Sequence, residues 1–217
     1  VFERVNQVID NLTGETFHVD PARYNDPLAL KTEWSIISKG GAGFGSHKLR
    51  SVGSDVLAFK LTWGAYLLSF SLILLWILGS ILFWINETRV GPPYLILAVF
   101  GILGIVIFAM LAKPIVFDKG SGMFVKGKVS KEIMDGKESS KSARLEDVHA
   151  IQVLARLIRD YDSKTRTNRS YMTYEMNLVL HDAKRKNVIR HGNRGLMLDD
   201  AQTIANFLGV PVWDATV

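Results

Sequence analysis

The chain has 217 residues, no cysteine and a formal net charge of +5. Its mean hydropathy of +0.15 is high for a chain that is 22% charged, because the apolar weight sits in the middle: no Asp, Glu, Lys or Arg occurs from Leu61 to Asn86 or from Val90 to Ala112. These features exclude an ordinary soluble globule, a disordered chain, a disulfide framework, Cys-ligated zinc, an iron–sulfur cluster and a thiol nucleophile.

In chain order, residues 1–33 read as an N-terminal helix and loop. Val1, Val5, Val8, Ile9 and Leu12 fall on one face of a short amphipathic helix. The stretch from Thr13 to Trp34 has two Asp-Pro features and no period, which predicts loop. Residues 34–60 carry HKLRSV and VLAFKL around a Gly-Ser-Asp turn, a β-hairpin that feeds straight into the first apolar stretch.

The two apolar stretches, about 61–86 and 90–112, predict a transmembrane hairpin over 61–112. Each exceeds the roughly 18–20 residues that cross a ~30 Å hydrocarbon core. Trp63, Tyr66 and Trp84 supply interface aromatics at both ends of the first span. Pro92 and Pro93 suit the first turn of the second, and Ala98, Gly101 and Gly104 allow close packing between the two. The link, about Asn86 to Arg89, is so short that the spans must be antiparallel neighbours with both flanks on one side. Neither span holds an ionisable residue, so the hairpin reads as an anchor rather than a proton relay or ion path.

Residues 113–217 hold eighteen basic and thirteen acidic residues, while residues 1–60 hold seven of each, so the net +5 belongs to the C-terminal flank. PIVFDKGSGMFVKG predicts a second hairpin with a Gly-rich turn. A polar connection over 128–142 follows. Residues 143–158 fit helix and strand equally: Leu145, Val148, Ile151, Leu154, Ala155 and Ile158 follow helical spacing, whereas Ile151, Val153, Ala155 and Leu157 alternate. Residues 159–170 read as a polar loop. YMTYEMNLVL alternates, with Met172, Tyr174, Met176, Leu178 and Leu180 on one face; HDAKRK turns it and NVIRH returns. The final element is a helix with Asp199 and Asp200 in its first turn, an apolar face of Met197, Ala201, Ile204, Ala205 and Leu208, then Gly209 and Pro211 as stop signals.

This order of elements is similar to that of bacterial membrane-anchored pleckstrin-homology-like proteins. AQTIANFLGVPVWD, ARLEDVHAIQVL and the stretch from Trp34 through GGAGFGSHKL resemble an uncharacterised family of bacterial two-span membrane proteins with such a domain, over residues 34–217. The overall plan is also similar to the photosystem I assembly protein, with its two-helix hairpin, FD…G strand pair and FL-x-VP ending. The resemblance implies a membrane protein of the α+β class: a two-helix transmembrane hairpin plus a mostly antiparallel β-roll closed by a C-terminal α-helix. It also favours strand for roughly 147–157. No photosynthetic role follows from it.

Chemistry-bearing motifs are sparse. Gly40, Gly41, Gly43 and Gly45 form a flexible loop candidate, but the spacing fits neither a P-loop nor a dinucleotide fingerprint. The five histidines are scattered; only His181 and His191, flanking the last hairpin, could meet, and no metal or cofactor site is read from them. The pairs Glu146-Asp147 and Asp199-Asp200 do not face one another on a strand or a helix. The basic residues Lys119, Lys126, Lys128, Arg156, Arg159, Lys164, Arg166, Arg169, Lys184, Arg185 and Lys186 are candidate contacts for lipid or a partner. Nucleic acid is not expected, because aromatics are not interleaved with these charges.

The expectation is therefore a non-enzymatic accessory, scaffold or assembly protein, held in the lipid bilayer and contacting another membrane protein or a second copy. The alternative is an anionic-lipid-responsive module, with a phosphate-ligand enzyme less favoured. Lys48, Arg50, Lys60, Lys113, Lys119, Lys126, Lys128 and Lys131 flank the spans, against Arg89 alone in the link. The positive-inside rule then places both flanks in the cytoplasm of a bacterial inner membrane.

Overall fold

The computed structural model describes residues 15–16, 19–38, 45–85, 92–127, 139, 141–162 and 167–216. The amphipathic helix expected over 1–12 and the link at 86–89 lie outside them. The architecture is α+β with two mostly antiparallel sheets. The first sheet runs β2 (His47–Ser51), β3 (Val56–Leu61), β4 (Ile115–Asp118), β5 (Met123–Lys126) and β6 (Ser142–Arg144), each antiparallel to the next. Its two predicted hairpins are present. The β4–β5 turn is closed by Asp118, whose Oδ1 accepts from the Gly120 amide at 2.8 Å, and by Gly122 at φ 69°. Because β3 pairs with β4, segments 34–60 and 113–217 contribute to one sheet despite the helices between them.

The second sheet is a long ribbon of β7 (Val148–Asp162) and β8 (Thr167–Leu180), extended by β9 (Arg185–His191) on one side. On the other edge of β7 lie the two-residue β1 (Glu15–Thr16) and the parallel strand β10 (Val212–Ala215). The ambiguity over 143–158 resolves as a short 3-10 turn, Leu145–Asp147, and then strand. YEMNLVL pairs with β7 from Val148 to Ala155, and residues of both β7 faces are buried there, Ile151 and Val153 on one and Ala150 and Gln152 on the other.

The predicted polar loop at 159–170 is corrected: β7 continues to Asp162 and β8 begins at Thr167, so Arg159 and Arg169 stand on strands. Polar residues tolerate a strand that runs beyond the core, because the ladder satisfies the backbone. The HDAKRK turn is shorter than read. Ala183 takes the left-handed position at φ 63°, and Arg185 and Lys186 already belong to β9.

Phe117 and Phe124 pair across β4–β5 with centroids 4.8 Å apart. With Leu49 and Phe59 they share one core with Ile151, Met176 and Leu178 of the second sheet. Helix α4 (Arg194–Leu208) joins it through Met197, Ala201, Ile204 and Ala205, the face read from the sequence. Its stop at Gly209, φ 74°, is as expected. Its start is not. Asn193 caps the helix, accepting from the Leu196 amide at 3.1 Å, so Asp199 and Asp200 fall in the second turn.

The strand after α4, β10, has no counterpart in the sequence reading. The Asp-Pro loop is also corrected. Asp20-Pro21 and Asp26-Pro27 open a 3-10 turn (Pro21–Tyr24) and α1 (Pro27–Lys31), each with Asp as N-cap and Pro just inside.

Helices α2 (Trp63–Ile85) and α3 (Pro92–Leu111) form an antiparallel pair: Tyr66 lies near Phe108, and Gly79 near Leu97. A Cβ at Gly104 would come within 2.9 Å of the Ser69 carbonyl oxygen, so the glycine is what lets the helices approach. Among the described residues, α2 is the one helix long and apolar enough to cross a membrane, by length and composition; the described side chains of α3, Leu95–Leu111, form a shorter apolar stretch. Only 6% of the apolar window of α2 is buried within the protein.

Candidate functional site

Two regions concentrate polar chemistry. The first is the second face of the β7–β8–β9 sheet. Alternation predicts one apolar face on β8, and Met176, Leu178 and Leu180 are indeed buried. The other face is buried too, and beside the apolar Val179 it is polar: Glu175 is 1% exposed, and Asn177 and, on β7, Gln152 are fully buried. The segment from Pro21 to Ser38 lies over them. The Glu175 carboxylate accepts from the Ile37 and Ser38 amides, both at 2.9 Å, and from Asn177 Nδ2 at 3.0 Å. Arg185 donates to the Ser35 carbonyl at 2.6 Å, to Gln152 Oε1 at 3.2 Å and to Glu33 at 3.0 Å.

One end of this strap is aromatic. Tyr24 stacks on Trp34 at 5.1 Å, and both rings reach Trp213 of β10 at 5.8 and 5.7 Å. The Tyr24 hydroxyl donates to the Asp214 carbonyl at 2.7 Å. His149, the residue bulged out of the β7 register, meets the Asp26 carboxylate at 2.7 Å. Burial raises the Asp26 carboxyl, but the His149 hydrogen bond and the Leu28 amide outweigh it and leave it below its ordinary value.

Around Glu175 the charges are mostly positive. Lys126 donates to Asn187 Oδ1, and burial pulls its ammonium down to about 8 against the opposing field of Glu175. Arg156 is 5% exposed; burial and then Arg190 lower its pKa, and its Nε has no hydrogen-bond partner among the described residues.

The second region is the base of the helix pair. Thr62 alone separates β3 from α2, and Ala112, Lys113 and Pro114 separate α3 from β4. The joint is pinned. His47 of β2 faces the Leu111 carbonyl at 3.0 Å through Nε2 and Ser46 Oγ at 2.9 Å through Nδ1; Thr62 donates to the Gly45 carbonyl at 3.0 Å. Burial lowers the His47 pKa more than the Leu111 carbonyl raises it, so the ring is neutral at pH 7. Beside this joint a cleft of about 370 Å³ opens between Lys60, Lys113, Tyr66 and Phe108.

The basic residues singled out from the sequence are dispersed. Lys126, Arg156, Arg185 and Lys186 point into the body, Lys186 donating to the Ser139 carbonyl at 2.8 Å. Lys119 is exposed and lies over the Phe207 ring at 4.4 Å; Arg159 is exposed; Lys184 is exposed and paired with Asp182 at 2.6 Å. Lys128, Lys164 and Arg166, together with Gly40, Gly41 and Gly43, lie outside the described residues, as does the Arg169 side chain. Gly45 is described: a Cβ there would meet His191 Nε2 at 3.4 Å. His181 and His191 do not meet. His191 pairs opposite Tyr174, while His181 sits at the far turn with its ring 5.1 Å from His149. Among the described residues no cluster of three potential metal ligands occurs.

No family model, curated protein or solved structure matches this chain. The functional reading therefore rests on the geometry above. Sequence reasoning missed the Glu175 network and the Tyr24–Trp34–Trp213 cluster. The available signals were Glu175 and Asn177 interleaved within YEMNLVL, and Asp followed by Pro as cap and first helical residue.

Proposed function

We propose that the protein is a non-enzymatic accessory, scaffold or assembly protein of a bacterial inner membrane. In this reading α2 and α3 cross the bilayer as a hairpin. Both flanks are cytoplasmic, and the two-sheet body, taken as a pleckstrin-homology-like domain, offers its surface to another membrane protein or a second copy. The observation that carries it is the contrast at the surface. Leu67, Leu68, Phe70, Leu74 and Leu78 on α2, with Leu95, Val99 and Ile102 on α3, are exposed on the outside of the helix pair. A contiguous apolar surface of that kind is not left in water. Trp63 and Trp84 stand 77% and 83% exposed at the two ends of α2, where interface aromatics belong. The short pinned joint supports a scaffold, because it fixes the body's orientation relative to the helices.

Affinity purification of the full chain in mild detergent tests the partner. A stoichiometric protein or a homo-oligomer is expected, and a monomer in every detergent tried overturns the reading. Orientation is tested separately. A phosphatase active only in the periplasm, fused after Val217, should be silent, while a cytoplasm-active fluorescent fusion should be bright.

A further inference from the structure

We propose that the cleft at the base of the helix pair is a binding site for one anionic phospholipid of the surrounding bilayer. The inference rests on the membrane part of the preceding reading and deepens it by naming a ligand and a site. Two adjoining depressions carry the argument. The first, about 370 Å³, lies between the end of β3 and the end of α3 and is lined by Lys60, Lys113, His47, Tyr66 and Phe108, with no acidic residue among the described residues of its wall. The second, about 230 Å³, is lined by Trp63, Tyr66, Leu67 and Phe70 alone. Tyr66 lines both, so a cationic recess lies beside an apolar groove on the first turns of α2. This is the shape and polarity sequence of an amphiphile with a negative headgroup.

The cations are also poised for an anion. Lys60 and Lys113 are exposed, and neither has a hydrogen-bond or ion-pair partner among the described residues. Lys60 stands directly opposite Lys48 in the β2–β3 register, on the outward face that also carries Arg50. Asp200 of α4 already supplies negative charge beside Lys48, which leaves Lys60 as the cation of this facing pair that lines the cleft. The neutral His47 ring, held between Ser46 and Leu111, walls the recess without adding charge. On the apolar side Tyr66, Phe70 and Phe108 form one aromatic cluster with centroids 5.7–6.3 Å apart. Lys60 lies three residues before the start of α2 and Lys113 two residues after the end of α3, so both belong to the level where a phosphate would sit in the hairpin reading.

The test is native mass spectrometry of the full chain in mild detergent, titrated with phosphatidylglycerol or phosphatidylcholine. The wild-type protein is expected to hold one phosphatidylglycerol at least tenfold more tightly than phosphatidylcholine. Lys60→Gln combined with Lys113→Gln should weaken phosphatidylglycerol about thirtyfold, as expected for two interfacial cations. Lys119→Gln combined with Lys184→Gln, also exposed but outside the lining of the cleft, should leave it unchanged. Phe108→Ala should weaken both lipids alike. Equal affinity for the two headgroups, or a Lys60/Lys113 variant that binds like wild type, overturns the site. So does full displacement of the lipid by glycerol 3-phosphate at equal concentration, which would mean a soluble phosphate ligand. Failure of the membrane reading has a different signature: protein released from membranes by alkaline carbonate and monodisperse without detergent, whatever residues occupy positions 60 and 113.

Discussion

The two faces of the β7–β8–β9 sheet are buried to the same depth by opposite chemistry. One presents Ile151, Val153, Met176, Leu178 and Leu180 to α4 and the first sheet, and needs only apolar area to hold. The other presents Gln152, Glu175 and Asn177 to the strap from Pro21 to Ser38, and holds through directed hydrogen bonds with an aromatic clamp at one end. An apolar face accepts any partner of suitable shape. A buried carboxylate accepts only the partner that brings amides to both of its oxygens, so the second face specifies which segment covers it.

Removing the Glu175 carboxylate should have the largest effect. Glu175→Ala leaves the Ile37 and Ser38 amides without acceptors and the nearby cations without their counter-charge, a loss of about 3–5 kcal/mol. Thermal unfolding in detergent should show a large drop, and limited proteolysis should show early cleavage between residues 19 and 38. Glu175→Gln, which keeps one oxygen, should lose less than half as much. Trp213→Ala should cost about 3–5 kcal/mol by emptying the aromatic clamp, and should likewise expose the strap to protease.

Leu178→Ala on the apolar face should cost about 2–5 kcal/mol by opening a cavity, but without selective cleavage of the strap. That contrast is the test of the comparison. If Leu178→Ala frees the strap as readily as Glu175→Ala, the polar face has no special hold on it.

Two smaller effects probe the rim of the apolar core. Asp200 on α4 is pushed up to about 6 by burial and by Asp199, against the favourable charge of Lys48. Its folded-state pKa lies above the ordinary 3.8, so the charged form at neutral pH opposes folding. Asp200→Asn should raise the melting temperature by a few degrees at pH 7.5, and the gain should shrink as the pH falls below about 6 and vanish by about pH 3, below the ordinary 3.8, where Asp200 is protonated in both states. His47 shifts the other way for a base: burial holds it below 6.5, so the neutral ring stabilises the joint above that pH and the stability is lost on acidification. His47→Gln should flatten the fall in melting temperature between pH 7.5 and 5.5, the smallest of these effects.

Local signals in the chain determined the elements that carry their own period or punctuation. The 47–61 hairpin, the Asp118–Gly122 turn, the apolar helices at 63–85 and 92–111, and the stop of α4 at Gly209 are each written in a few adjacent residues. So was the apolar face of β8, because alternation is a property of one strand. Tertiary structure alone decided whether residues 148–158 became helix or strand, since the deciding factor was a partner strand later in the chain, with Ile158 opposite Tyr171 and Val148 opposite Leu180. It likewise decided that Glu175, Asn177 and Gln152 point into the protein. A polar residue in sequence reads as solvent-facing, and only the arrival of the amides of Ile37 and Ser38, about 140 residues upstream, makes its burial favourable. The same holds at the base of the helix pair, where Lys60 and Lys113 are fifty-three positions apart and become neighbours only because two apolar helices return the chain to the strand it left.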